Sequence, residues 1–174
     1  MRVLSIDPAL RNTGYAVIER QLEAGRKPAY KVVTYGVIEN GRKVRQSGCL
    51  VAIREQLRDV IQDHNPEVCA VEGVIYVQSL KTAITMGAAR GAAILSAAEF
   101  GLEVYEYNPR RVKQAVVGKG AADKQQVAFM IRALLGLTET PPHDAADALA
   151  IGLAHFYEQD PSRVSALANK PAAI

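Results

Sequence analysis

The sequence predicts an α/β domain built on a five-stranded mixed sheet flanked by helices. Three short segments rich in β-branched and aromatic residues follow one another early in the chain with short or polar links, which is typical of an antiparallel meander. Two later apolar runs are separated by a long helical pattern, which predicts a crossover between parallel strands. The 174 residues, 49% of them hydrophobic, suit one compact domain.

The individual elements follow from periodicity and from residues that stop it. Strands are predicted at residues 2–7, 14–19, 31–38, 68–72 and 102–107. Pro8 ends the first strand because it has no N–H for the sheet ladder. Helices are predicted from residue 50 to the Asn65-Pro66 stop, and at residues 80–100, 110–117, 122–135 and 143–157.

The composition of the chain indicates its domain organisation and its cellular compartment. Residues 1–158 are expected to form the domain, and residues 159–174, with two prolines and no periodic face, a disordered tail. Cys49 and Cys69 each lie in an apolar segment without metal-ligand spacing, which favours buried thiols in a reducing compartment. No apolar run reaches the ~18 residues of a membrane span and the start lacks a signal-peptide layout, so a cytoplasmic location is expected.

Positive charge is concentrated in one stretch of the chain. Residues 110–132 contain six basic residues and one acid, a local charge of +5 that leaves about −2 for the rest of a chain whose formal charge is +3. Such a stretch near candidate catalytic acids favours a phosphate-bearing substrate. A solvated helical face is the alternative interpretation, and charge alone does not separate the two.

Four carboxylates are the candidate chemical groups. Asp7 and Glu72 each end a predicted strand, whereas Asp144 and Asp147 are three residues apart and share one face of the last helix. Carboxylates that approach one another raise each other's pKa unless a cation lies between them, and oxygen-only ligand sets suit Mg²⁺ or Mn²⁺. Taken singly each acid is a weak signal, and Asp144 could simply cap its helix.

Five blocks, in order along the chain, carry a resemblance to a known family. They are IDPALRNTGYAVIE, AVEGV, TMGAARGAAIL, RRVKQAVVGKGAADKQQV and HDAADALAIGLAH. The chain resembles the RuvC family of bacterial Holliday junction resolvases, dimeric enzymes of the ribonuclease H-like superfamily. The resemblance runs from Arg2 to about Tyr157 and therefore covers nearly the whole chain.

The resemblance implies a specific chemistry. Four acids at these blocks bind two Mg²⁺ ions in the family, with Mn²⁺ as a possible substitute, and they carry over to Asp7, Glu72, Asp144 and Asp147. Lys124 would contact the scissile phosphate. The implied reaction is a pair of metal-dependent nicks in a four-way DNA junction, leaving 5′-phosphate ends, made by a homodimer that works with the RuvAB branch-migration complex.

Further residues are candidate DNA contacts. Lys113 and Lys124 match basic family positions, and Arg110, Arg111 and Lys119 add charge nearby, although Lys119 is also compatible with an ordinary loop lysine. In the loop after Glu72 the family commonly carries a stacking aromatic residue. This chain has Ile75 there, followed by Tyr76; Tyr76 could stack on bases and Ile75 could wedge between them.

Other positions leave alternatives open. Ser5 and Ala9 stand where the family usually has Gly, and Ala9 would be strained if its φ were positive. His143 is interpreted as an accessory residue or helix start, and His64 and His155 as structural. Small residues at spacing four, Ala83, Gly87 and Gly91, would let the sheet or a second subunit approach closely.

Two other functions fit parts of the sequence. A junction-binding protein without hydrolysis would fit the changes at Ser5, Ala9 and Ile75, but all four acids are present. Actin-like and sugar-kinase ATPases also begin with an Asp-bearing strand, but they need a second similar domain, for which 174 residues are too few. A metal-dependent junction nuclease is therefore the leading prediction.

Overall fold

The computed structural model describes residues 1–73, 79–160 and 173–174, and within them the predicted five-stranded mixed sheet is confirmed. Five helices accompany it. In chain order the elements are β1 (Arg2–Asp7), β2 (Asn12–Gln21), β3 (Ala29–Glu39), α1 (Gln46–His64), β4 (Val68–Glu72), α2 (Leu80–Ala98), β5 (Glu103–Tyr107), α3 (Pro109–Val117), α4 (Lys124–Leu135) and α5 (His143–Gln159).

The strand order is β3-β2-β1-β4-β5. β1 pairs antiparallel with β2, and β2 antiparallel with β3, whereas β4 pairs parallel with β1 and with β5. β3 therefore runs in the same direction as β1, because two antiparallel steps separate them. The C-terminal residues of β1, β3, β4 and β5 consequently lie at one end of the sheet, called here the carboxyl end.

Helices cover both faces of the sheet. Leu4 and Ile6 of β1 point into a core shared with α1 and α2, which includes Ile53 and Leu57. Val3 points to the opposite face, where the core is filled mainly by α5 with contributions from α3 and α4. Since the central strands are buried on both faces, β1 and β4 are nearly continuous apolar runs in the sequence.

Most elements differ from the prediction by one to four residues at their ends, and three of these differences have a clear physical reason. The β2–β3 hairpin is longer, because its ladder continues through polar residues such as Arg20 and Gln21, whose side chains carry no apolar signal. α1 begins at Gln46 rather than residue 50, since its polar first turn has no apolar periodicity. α2 ends at Ala98, and a turn with Gly101 at a φ of 71° leads into β5.

The last helix extends past the predicted end of the domain, and the final two residues lie beside β5. Gln159 belongs to α5, and Ala173 forms an antiparallel bridge with Tyr105 of β5. Cys49 and Cys69 are buried free thiols, as expected. Among the described residues no helix is both long enough and apolar enough to span a membrane.

Candidate active site

Two of the predicted acids are brought together by strand pairing. β1 and β4 are hydrogen-bonded parallel neighbours, and Ile6 is paired with Val71. Asp7 and Glu72 follow these paired residues, so they end adjacent strands side by side at the carboxyl end. Neighbouring strands are only about 4.8 Å apart, which places the two carboxyl groups within interaction distance.

The other two acids depend on a close approach between β2 and α5. Gly14 pairs with Asp7 across β1 and β2. A Cβ atom built on Gly14 would lie 1.9 Å from the backbone oxygen of Asp144, so only glycine allows the first turn of α5 to pack here. Asp144 does not cap its helix, because Pro142 holds the N-cap position. Its carboxylate, with that of Asp147 one turn later, is thus free to face Asp7.

Lys124 completes the cluster from α4. Asp123 caps this helix, accepting from the backbone N–H of Gln126, whose side chain in turn accepts from the N–H of Asp123. The capping box fixes Lys124 as the first residue of α4. Its Nζ lies 3.2 Å from Asp147 Oδ2 and 3.9 Å from Asp144 Oδ1. The fold therefore gathers the four acids and the lysine that were singled out in the sequence.

The cluster is electrostatically frustrated. Burial, followed by the negative charge of Asp147, raises the pKa of Asp7 to about 6. Burial, followed by the charge of Asp7, raises the pKa of Glu72 to about 8. A hydrogen bond between these two carboxyls favours the ionised form of Asp7 and the protonated form of Glu72, so Glu72 donates and Asp7 accepts. Four carboxyl groups thus face one ammonium group.

The donor chemistry fits hard divalent cations. The four acids offer oxygen ligands only, and two of them are carboxyls whose ionised form is destabilised by burial and mutual repulsion. In the part of the chain that the structure describes, no three His, Cys, Asp or Glu side chains already converge as a metal cluster. Asp144 and Asp147 are instead oriented toward the ammonium group of Lys124.

The residues predicted to contact DNA differ in exposure and in whether their charge is already paired within the protein. Arg110 and Lys119 are exposed, and Lys113 is half-buried on α3. Arg111 differs, because its guanidinium lies 3.2 Å from the buried carboxylate of Glu158, an ion pair within the protein. Arg111 as a DNA contact stays a prediction, with its charge already partnered. Ile75 and Tyr76 lie outside the described residues.

The departures from the family pattern are accommodated. Ser5 is fully buried and its hydroxyl donates to the backbone oxygen of Ala16 at 3.3 Å. Ala9 does not have a positive φ, so its backbone is not strained. Its N–H and C=O both bond the hydroxyl of Thr13, which closes the turn after Asp7. His143 is the exposed first residue of α5, as a helix start would be.

Sequence reasoning missed Gly14 as a determinant of the site. A glycine inside a strand pattern signals a close backbone approach, and this signal was present. What approaches it, the first turn of α5, is more than 120 residues away in the chain. His155, which was predicted to be structural, is buried, and its Nδ1 lies 2.8 Å from the hydroxyl of Tyr107.

Comparison with known proteins identifies the family. Residues 3–155 match the family model described as crossover junction endodeoxyribonuclease RuvC. The chain belongs to the RuvC family. The RuvC of Akkermansia muciniphila is 54% identical over 170 residues, which cover 98% of this chain and 99% of the relative. The RuvC of Caldicellulosiruptor saccharolyticus is 42% identical over 157 residues, covering 90% and 92%.

Solved RuvC structures have the same fold. Thermus thermophilus RuvC is 32% identical with a TM-score of 0.81, and the match covers 99% of this chain and 100% of that one. The same protein in complex with a Holliday junction substrate gives a TM-score of 0.83, with 99% of each chain covered. The yeast mitochondrial Holliday junction resolvase Ydc2, 14% identical with a TM-score of 0.56 over 87% of this chain and 77% of that one, shares the fold alone. The predicted ribonuclease H-like fold is thereby confirmed.

Proposed function

We propose that this protein is a structure-selective endonuclease that resolves Holliday junctions by paired, metal-dependent nicks during DNA recombination and repair. The observation that carries the proposal is the cluster of Asp7, Glu72, Asp144 and Asp147 around Lys124 in a chain of the RuvC family. The Thermus thermophilus relative, similar over 99% of this chain, has been solved with a Holliday junction substrate.

The four acids would hold the divalent cations, proposed to be two Mg²⁺ ions per site. Cations bound there would supply the positive charge that activates an attacking water and stabilises the leaving 3′ oxygen, so that the products carry 5′-phosphates. The raised pKa values of Asp7 and Glu72 support this assignment, because a cation would relieve the repulsion that burial imposes on both carboxyls. Asp7, which lies between Glu72 and the α5 acids, would be the central one of these ligands.

Lys124 is the proposed contact to the scissile phosphate. Its ammonium reaches the carboxylates from the exposed side of the cluster, with 59% of its side chain accessible. An ammonium group at this edge can hold a phosphate oxygen and offset the negative charge that builds up on the phosphate during in-line displacement. Lys113, Lys119 and Arg110 would extend this positive surface along the DNA.

A homodimer is the proposed working form. Ala83, Gly87 and Gly91 do not face the sheet, since Ala89, Ala93 and Ala97 occupy that side of α2, and a Cβ at Gly87 or Gly91 would touch nothing within 4 Å. Leu80, Ile84 and Leu95 on the same helix are 78%, 62% and 50% exposed. A second subunit would cover this apolar surface and place two active sites on symmetric strands. Cooperation with RuvAB and a cytoplasmic location are proposed from family membership.

The direct test is cleavage of defined substrates. The protein is incubated with a synthetic four-way junction, a linear duplex and an RNA/DNA hybrid, each with Mg²⁺ or with EDTA. We expect symmetric nicks in the junction alone, dependent on Mg²⁺, with 5′-phosphate ends. Cleavage of the linear duplex or the hybrid at comparable rates would refute the junction assignment.

A single substitution tests the metal assignment. Asp7→Asn removes one negative charge at the centre of the cluster, and we expect it to reduce the cleavage rate by at least ~10³-fold while junction binding is retained, because the removed interaction acts on the reacting groups. Asp63→Asn, at an exposed acid on α1, is the matched control and should cleave normally. Mg²⁺-dependent nicking by Asp7→Asn at the normal rate would sink the metal assignment.

A further inference from the structure

A second group of cations lies at the carboxyl end of the sheet, outside the basic stretch of residues 110–132. Arg42, Lys43 and Arg45 occupy the connection between β3 and α1, and all three side chains are exposed. They are called here the basic loop. Residues 40–53 contain no acid, and none of the three cations forms an ion pair with any residue that the structure describes.

The basic loop is fastened to the turn that follows Asp7. The guanidinium of Arg11 donates to the backbone oxygens of Gly41 at 2.7 Å and Val44 at 3.1 Å. Asn40 donates from its backbone N–H to the oxygen of Arg11 and from its side chain to the oxygen of Leu10. These bonds hold the loop backbone at both ends, so its cations project from a defined position.

Sheet topology places the basic loop on the far side of the active site from α3. The loop follows β3, which is one edge of the sheet, whereas α3 follows β5, the other edge. β1, which ends at Asp7, lies two strands inward from β3, a distance of about 10 Å. The four acids therefore have positive charge on both sides along the carboxyl end.

We propose that the basic loop is a second phosphate-contact site, which holds the backbone of the DNA substrate on the side of the active site opposite α3. The inference rests on the proposed function for the identity of the DNA. Exposed, unpaired cations at a fixed place are the groups that neutralise DNA phosphates. With phosphates spaced by a rise of 3.4 Å along one strand, a contact ~10–16 Å from Asp7 falls about three to five nucleotides from the cut.

The charge distribution along the sequence hid this loop. Its three cations are offset by acids elsewhere, so the residues outside 110–132 have a net charge of about −2. Only the pairing of β3 with β2 brings it to the end of the sheet where Asp7 lies.

The test compares two triple variants with the same change of charge. Arg42→Gln, Lys43→Gln and Arg45→Gln are combined in the loop variant. The control combines Arg26→Gln, Lys27→Gln and Lys31→Gln, three exposed cations at the opposite end of the sheet, near the β2–β3 turn. Junction affinity is measured with Ca²⁺ in place of Mg²⁺ over a series of salt concentrations, and the single-turnover cleavage rate is measured at saturating protein.

We expect the loop variant to bind at least ~10-fold more weakly near physiological salt, with the slope of log Kd against log salt reduced by about 2–3, roughly one for each phosphate that the loop no longer neutralises. Its cleavage rate at saturation should match that of the unmodified protein, because the reacting groups are untouched. A hydroxyl-radical footprint should show weaker protection about three to five nucleotides from the cut.

Each alternative result is decisive. Equal affinity, salt slope and footprint in the loop variant and the control would overturn the inference, as would an equal loss of affinity in both variants, which would indicate net charge alone. If the unmodified protein binds but never cleaves a junction, the proposed function fails, and the comparison of the two variants still decides the role of the loop. Circular dichroism of both variants establishes that they remain folded.

Discussion

At the carboxyl end of the sheet, a single carboxyl group that is suited to binding a cation lowers the stability of the cation-free protein. Glu72 is held where burial and the charge of Asp7 raise its pKa to about 8. At a pH between the ordinary pKa of a glutamate and about 8, Glu72 keeps a proton in the native state that it has released in the unfolded chain. The free energy of unfolding of the cation-free protein therefore falls as the pH rises from about 5 to about 8.

The substitution Glu72→Gln tests this conflict, because glutamine stays neutral at every pH. In EDTA at pH 8 we expect Glu72→Gln to melt ~3 °C or more above the unmodified protein, corresponding to about 1 kcal/mol or more for a chain of this size. At pH 5 the difference should vanish, since Glu72 is then protonated. Thermal melts monitored by circular dichroism give both values.

Glu55→Gln, at an exposed acid on α1, is the control and should show no such pH-dependent gain. Added Mg²⁺ should then raise the melting temperature of the unmodified protein more than that of Glu72→Gln, because a ligand that binds only the native state stabilises it. A variant that is no more stable than the unmodified protein at pH 8 would show that Glu72 is not the frustrated group.

At the scale of elements, the docking of α5 on β2 decides whether the acids meet. Gly14 faces the backbone of Asp144, and Gly152 further along α5 faces the side chains of Ser5 and Ile18, both 2.9 Å from the position a Cβ would take. Two glycines in different elements therefore let one helix lie close against the sheet. The helix brings Asp144 and Asp147 to the strand that carries Asp7.

Gly14→Ala should separate the two halves of the site. A methyl group cannot fit 1.9 Å from a backbone oxygen, so the first turn of α5 must shift away from β2. We expect the single-turnover cleavage rate to fall at least ~10-fold, and the melting temperature to fall by ~4 °C or more, as overpacking costs about 1–3 kcal/mol.

Gly41→Ala is the matched control for Gly14→Ala, because its new Cβ would meet only Val44 at 3.9 Å, an ordinary contact. It should retain both rate and stability. Normal cleavage by a folded Gly14→Ala protein would mean that the contact between β2 and α5 does not position the acids.

In the whole molecule, the exposed apolar surface of α2 is the proposed contact with a second subunit. Ile84→Asp puts a charge in the middle of this surface, which should weaken self-association at least ~30-fold if a second subunit buries it, since burying an unpaired charge costs about 2 kcal/mol or more. Light scattering after gel filtration, over a range of protein concentrations, measures the change.

Val51→Asp is the control for Ile84→Asp, because Val51 is an apolar residue that is 51% exposed on α1. Its self-association should match that of the unmodified protein. A dimer that survives Ile84→Asp unchanged would place the interface elsewhere, and a monomer at all concentrations in the unmodified protein would refute the proposed dimer.

The strands and helices, the family and the four acids could all be predicted from the amino-acid sequence. β1 and β4 end at Asp7 and Glu72 as predicted, because their apolar runs, and the stop at Pro8 after β1, are local signals. The blocks around all four acids were specific enough to identify the family, which the matched residues 3–155 then confirmed. Lys124 was singled out in the same way.

How distant segments of the chain meet became visible only in the folded protein. The contact of Gly14 with Asp144, the pairing of Arg111 with Glu158 and the position of the basic loop beside the turn after Asp7 all join residues far apart in the chain. Periodicity and composition report on neighbours within one element, whereas these features depend on strand order and on how closely helices pack. For that reason the sequence named the candidate reacting groups, and the fold revealed what holds them together and where a second group of cations lies.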